Sequence, residues 1–407
     1  MNRLALDPAL QTLRAKLQVE ETLMRRGVFR DSDTGRDYFT GYAYKTLYDW
    51  DQYFESIVQM YMGWPSDYIR NGVTIFLDHQ QPSGLISRSV PSNPCHDPEH
   101  VKPFLSQIAL LVINHYDERE WILNDHYMPR LRRYLDYWLT EMDATSNGLS
   151  EWMSAPHTGM DNQHERVGYW LDRFCEGVDL NSYLVRELRA FSQLAALSDW
   201  GDVAAEYAAK AEALAERIRA MLWDETDGFF YDGNARAGEE LKSRHCGWAS
   251  AMNTGNEALI RVKSISSFAA LWARVATPDQ AHRMVTEHLF NPREFWTPYP
   301  LAALAKSERW YSRDWFPADL GCNWRAKVWI PTNYIAYQGL RAYGYGQLAS
   351  LLAHYTTEVV QKAGNCEYYD AETGEGCGLN PFWGWSLLGH FMPYEETCTI
   401  SPTESWW

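Results

Sequence analysis

Residues 324–345 read WRAKVWIPTNYIAYQGLRAYGY. The stretch opens as a basic, tryptophan-bearing loop and continues as a helix over 331–345. That pairing of a loop rich in side-chain chemistry with the helix it feeds recurs along the chain. Segments 103–116, 127–141, 178–197, 263–275 and 347–363 also read as helices. The Ala-rich run GDVAAEYAAKAEALAERIRAML (201–222) repeats an apolar face through Tyr207, Leu214, Ile218 and Leu222. Thr277-Pro278-Asp279-Gln280 is a capping box with proline at the first helical position. The helix after it sets Ala281, Met284, Val285, His288 and Leu289 on one face. Strand signals are few and short; one is GFFYD (228–232), after the turn at 224–227.

No linker rich in Pro, Gly or Ser divides the chain, and no sequence repeat of fixed period appears. Roughly a dozen helices over this length predict an all-α (α/α)6 toroid, six helical hairpins in a ring. A two-domain helical bundle is the competing layout. In a toroid the loops at one end surround a central pit, which favours a concave site for a small polar ligand. The expected organisation is one catalytic domain over 1–407 with an N-terminal helical extension.

Composition narrows the partners. The chain has 53 acidic and 37 basic residues, a net charge of −16, so a phosphate backbone would be repelled and nucleic acid is not expected. No apolar run approaches the roughly 18 residues that span a membrane. The N-terminus is charged and amphipathic, without the apolar core of a signal peptide. Seven widely spaced cysteines with no C-x-x-C fit reduced thiols in a cytoplasmic protein better than a disulfide frame or a zinc site. There is no G-x-G-x-x-G and no phosphate loop, so no NAD or nucleotide role is expected; no cofactor is expected, and no metal ligands are singled out. The 19 Trp and 25 Tyr serve as core, but their flat amphipathic rings also suit sugar faces.

Four stretches carry candidate chemistry. YDWDQYFE (48–55) places two acids around Trp50 at a helix start, where acids also serve the helix dipole. HTGMDNQHER (157–166) sets Asp161 after a glycine turn, in what reads by itself as a solvated loop. The third is the 324–334 loop. The fourth is CEYYD (366–370), followed by TGEG (373–376) and NPFWGWS (380–386), a turn-rich hairpin by composition.

Together and in this order, the four resemble the trehalase and processing α-glucosidase clan, especially glycoside hydrolase family 63. That family includes bacterial α-glucosidases and mannosylglycerate and glucosylglycerate hydrolases. WRAKVWIPTNYIAYQGLRAYGY is similar to the family's WRGPxW…NYLxxxGLxxYG. YDWDQYF resembles the WDSYF element of trehalases, and HTGMDNQ resembles SGWDNS. The resemblance runs from about residue 40 to 390. QQPSGLI (80–86) and Lys102-Pro103-Phe104 also resemble family loops near the site. This chain departs from the pattern at Met160 (for Trp), Gln163 (for Ser) and Ala326-Lys327 (for Gly-Pro), and the trehalase signature QWDxPxGWAP is absent.

The resemblance implies Asp161 as general acid and Glu367 as general base of an inverting, exo-acting α-glycosidase on a small α-glucoside. Inversion needs two carboxyl groups roughly 6.5–9.5 Å apart, with room for a water between sugar and base. Trp50, Asp51 and Asn162 would hold the sugar. Trp324 and Arg325 would line the pit, and Trp385 would close its floor. Glu367 is expected to share its cavity with Asp161, Asp51 and Arg325, its pKa held down by a cation or hydrogen-bond donors. Mannosylglycerate or glucosylglycerate hydrolysis and trehalase activity are the nearby alternatives. An (α/α)6 sugar isomerase or epimerase is a different class, and it would need a histidine pair that the 12 His residues do not obviously supply. A non-catalytic sugar-binding relative is a third, and the presence of both carboxylates argues against it.

Overall fold

The computed structural model describes residues 7–93, 98–168, 173–245, 248–313, 322–397 and 402–403. Its helices, in chain order, are α1 (Pro8–Lys16), α2 (Gln18–Met24), α3 (Asp49–Met62), α4 (Asp67–Asp78), α5 (Leu105–Tyr116), α6 (Met128–Thr140), α7 (Ala155–Thr158), α8 (His164–Val167), α9 (Val178–Leu197), α10 (Gly201–Met221), α11 (Ala269–Trp272), α12 (Pro278–Arg283), α13 (Ile330–Ala342), α14 (Gly346–Ala363) and α15 (Leu388–Thr397). The architecture is the (α/α)6 toroid expected from the sequence.

Burial separates two layers. Every residue of α3 and α11 is buried, and α13 is buried over most of its length. α10 buries only the stripe Tyr207, Ala211, Leu214, Ala215 and Ile218 and shows its other face to solvent. A helix enclosed on all sides belongs inside, and a helix with one apolar stripe belongs outside. The inner helices touch in sequence, α3 to α5, α9, α11, α13 and α15, and α15 returns to α3 to close the ring. α4, α6, α10 and α14 pack outside it. The N-terminal segment of α1 and α2 reaches the C-terminal end of α3: Arg14 donates to the Tyr61 carbonyl, and the Arg25 guanidinium sits 4.2 Å from the Trp64 ring centre.

Most helical segments read from the sequence are present within a few residues, and two differ in kind. Segment 263–275 is a 3-10 turn, Ile265–Phe268, running into the short α11. The Ser264 hydroxyl caps its start by accepting from Ser266 N, and Arg274, at φ 51° in the left-handed region, ends it. The segment from Thr277 has the expected capping box but widens to a π-helix over Met284–Leu289. The GFFYD strand is the second arm of a hairpin, Trp223–Asp224 with Phe229–Phe230.

Short sheets beyond those read from the sequence staple the loops. Lys327–Val328 pairs with Tyr368–Asp370, which pairs with Gly376–Cys377. Leu47–Tyr48 pairs with Ser89–Val90, and Glu240–His245 with Trp248–Asn253. Cys175, Cys322, Cys366 and Cys377 are free thiols; Cys95, Cys246 and Cys398 lie outside the described residues. Among the described residues no helix is long and apolar enough to cross a membrane, and no cluster of His, Cys, Asp or Glu is arranged to hold a metal.

Candidate active site

The N-terminal ends of inner helices meet around one cavity of about 120 Å³. Asp49, Trp50 and Asp51 come from the first turn of α3, Lys102 from the approach to α5, Trp329 from the residue capping α13, and Trp385 from the turn leading into α15.

Asp161 reaches this cavity through a tightly built loop. The Ser154 hydroxyl caps α7 by accepting from His157 N at 3.0 Å. Gly159 then turns the chain at φ +85°, and a Cβ there would meet Trp50 Cζ2 at 2.9 Å, so both backbone shape and packing require glycine. The residues after Asp161 anchor the loop. Asn162 Oδ1 accepts from Trp324 N at 2.7 Å. Gln163 Nε2 donates to the carbonyls of Trp324 at 2.5 Å and Ala303 at 3.1 Å, and its Oε1 accepts from Ser264 at 2.8 Å. The amide at 163, one of the departures from the family pattern, therefore ties together three chain segments that the shorter serine could not bridge.

Glu367 enters from the far end of the chain. The strand Tyr368–Asp370 lies against Lys327–Val328, which holds the fourth motif beside the third. Its carboxylate is 5% exposed; Oε2 accepts from Leu379 N at 2.9 Å and Oε1 from the Cys322 thiol at 3.3 Å. Its backbone carbonyl accepts from Trp385 Nε1 at 3.0 Å. The walls are aromatic: Trp324 stacks on Trp329 at 3.7 Å, and Trp329 on Tyr368 at 4.4 Å.

Burial raises both carboxyls. Burial pushes Asp161 up to about 7; Arg88 and Lys102 pull it down, and Glu367 and Glu99 push it further up. Glu367 is also raised by burial, against two opposing donors, the Leu379 amide and the Cys322 thiol. Asp51 is raised to about 7 by burial and by Asp49, with Lys102 opposing. The Lys102–Asp49 ion pair, 3.0 Å long with both side chains 2% exposed, sits below Trp50.

Six of the eight residues singled out from sequence line the cavity: Trp50, Asp51, Asp161, Trp324, Glu367 and Trp385. Two do not. Arg325 turns away and pairs with Glu165 at 3.2 Å, because α8 places that buried carboxylate next to it. Asn162 is occupied with the Trp324 amide. No cation pairs with Glu367 among the described residues, and its pKa is raised rather than held down. Sequence reasoning did not single out Arg88, Cys322, Tyr42 or Tyr44, and Tyr48 entered only as the first residue of the YDWDQYFE stretch. Lys102 it noted only as part of a family-like loop. Arg88 lies in ISRSVP, a stretch with no motif, and its ion pair with Glu99 at 2.8 Å appears only after folding. A second cavity, lined by Arg186, Trp272, Arg274 and Arg341, contains none of these carboxylates.

Carboxyls and aromatic rings gathered at the mouth of a closed helical ring are what sugar-cleaving (α/α)6 enzymes present. The chain belongs to the family of mannosylglycerate hydrolase MGH1-like glycoside hydrolase domains, whose model matches residues 44–386. A mannosylglycerate hydrolase of Thermus thermophilus is 29% identical over 168 residues, 40% of this chain and 33% of that protein. That of Rubrobacter radiotolerans is 27% identical over 214 residues, 52% of this chain and 42% of that protein. The cytosolic neutral trehalase of Kluyveromyces lactis is 29% identical over 153 residues, 38% of this chain and 17% of that protein. These matches span less than half the length of each curated relative. In fold, the chain matches a GH63 mannosylglycerate hydrolase from Thermus thermophilus, solved in complex with glucose, at a TM-score of 0.70 and 18% identity, covering 93% of this chain and 99% of that one. Neutral trehalase Nth1 from Saccharomyces cerevisiae matches at 0.60 and 19% identity, covering 92% and 77%.

Proposed function

We propose that this chain is an inverting, exo-acting α-glycosidase working as one catalytic unit in the cytoplasm on a small α-linked hexoside, with Asp161 as acid and Glu367 as base. The observation that carries the reading is that Asp161 and Glu367, far apart in sequence, face one cavity, with Asp161 raised to about 7 and Glu367, also raised by burial, accepting from two donors. A carboxyl with a pKa near 7 keeps its proton into neutral solution and can give it to the glycosidic oxygen. Glu367 takes a proton from water as the water oxygen attacks the anomeric carbon from the opposite face. The glycosidic bond breaks, and the free sugar leaves with inverted configuration. Proton exchange with solvent then resets both carboxyls. Asp51, with the Tyr42 hydroxyl at 3.4 Å, is positioned to accept sugar hydroxyls, and Trp50 and Trp324 add aromatic surface to the cavity that would hold the pyranose.

The relatives named mannosylglycerate hydrolase support a second reading, a glycerate glycoside as substrate. The test is hydrolysis of trehalose, kojibiose, nigerose, maltose, isomaltose, mannosylglycerate and glucosylglycerate, with the anomer released first followed by NMR. The expected product of an α-glucoside is the β-anomer. Initial release of the α-anomer would replace the inverting mechanism with a retaining one, and no turnover across the panel would remove the glycosidase reading.

A further inference from the structure

The cavity's charges discriminate between leaving groups. Four carboxyls line it, those of Asp49, Asp51, Asp161 and Glu367, and Glu99 stands behind. Two cations line it, and both are already engaged: Lys102 with Asp49 at 3.0 Å and Arg88 with Glu99 at 2.8 Å. The nearby basic residues of the 313–327 region are committed too, Arg325 to Glu165 at 3.2 Å, and Arg313 and Lys327 to Asp370 at 3.1 and 2.8 Å. Among the described residues no other Lys or Arg lines the cavity. Helix N-termini offset part of the negative charge, but Asp49 already takes the amide at the head of α3, accepting from Trp50 N at 2.7 Å.

Apart from its sugar-facing tryptophans, the cavity offers tyrosine. Tyr42 and Tyr44 stack at 4.8 Å, Tyr48 packs edge-on to Tyr42 at 5.7 Å, and Tyr44 is 44% exposed. Such rings bind the C–H face of a neutral polyol or second sugar and still present hydroxyls to it. A carboxylate brought to the same place meets the negative charge of Glu367 and must displace an existing partner from any cation it uses.

Resting on the glycosidase reading above, we propose that the leaving group is neutral and polyhydroxylated, a second sugar or polyol held against the Tyr42–Tyr44 pair, and that this site discriminates against anionic glycosides. The test uses the full chain and two near-isosteric substrates, α-glucosylglycerol and α-glucosylglycerate, with the matching mannosides in parallel. The neutral member should show a kcat/KM at least about tenfold higher, and the ratio should narrow at high ionic strength as the repulsion is screened. Tyr44→Ala, at an exposed position, should raise KM for the neutral glycoside more than it lowers kcat. A kcat/KM for the glycerate glycoside equal to or above that for the glycerol glycoside overturns the proposal. If neither is cleaved, nor any α-glycoside of the wider panel, the glycosidase reading fails by itself. Calorimetric binding of the same pair to the wild-type chain then reads the charge preference alone: tighter neutral binding supports it, and tighter glycerate binding overturns it.

Discussion

The Cys322 thiol donates to Oε1 of Glu367 at 3.3 Å, while the other oxygen accepts from Leu379 N at 2.9 Å. A hydrogen bond to a carboxylate favours its ionised form. Cys322→Ala should therefore move the acid limb of the kcat/KM profile to higher pH and lower kcat by about tenfold or less, since bonds to charged groups contribute about 1.5–3 kcal/mol and a thiol is a weak donor. Cys322→Ser should restore the wild-type limb. An unchanged profile in the alanine variant would show that the thiol does not tune the base.

Replacing the acid separates its role from binding. Asp161→Asn should leave KM within a few-fold and reduce turnover of natural glycosides by about 10²–10⁴-fold, the usual contribution of a positioned acid. An α-glycosyl fluoride, whose leaving group needs no proton, should lose much less. Equal losses on both substrates would remove Asp161 from the acid role.

The pH dependence follows from the shifts. As the proposed acid Asp161 must be protonated, so activity should be present below its pKa of about 7 and fall as pH rises through it. As the proposed base Glu367 must be ionised, and burial raises it, so the acid limb should lie above the ordinary glutamate range. The profile of kcat/KM should be a bell of these two limbs. Stability carries the same sign for Asp161: its folded pKa exceeds the unfolded value, so its favourable contribution is present at low pH and lost as pH rises through about 7. Asp161→Asn should accordingly melt a few degrees higher than wild type at alkaline pH, with a smaller difference at acid pH, measured by calorimetry. A lower melting temperature at alkaline pH would contradict this.

The buried Lys102–Asp49 pair should be intolerant of single changes. Lys102→Met leaves the Asp49 carboxylate buried without its cation, a loss of about 3–5 kcal/mol. The double variant Lys102→Met with Asp49→Asn should recover part of that, because no charge is then stranded. Urea denaturation of the three chains gives both values; a single variant as stable as wild type would show that water reaches the pair.

Much of this molecule is legible in one dimension. The apolar stripe of α10, the capping box at Thr277 and the helix after Pro331 rest on interactions a few residues apart, which periodicity and local hydrogen bonding fix. The motifs around Asp51, Asp161 and Glu367 were visible because chemistry restricts which residue types can occupy them. What the sequence could not determine is which side chains end up opposite one another. Arg325 looked like a wall of the pit, yet closure of the ring sets it beside Glu165. Arg88 and Cys322 carried no local signal, yet the same closure sets one near Asp161 and the other on Glu367. The physical reason lies in the range of the forces. Backbone hydrogen bonding and amphipathic burial act within a helix, whereas the charge, desolvation and donors that tune a carboxyl come from whatever chain the fold brings near it.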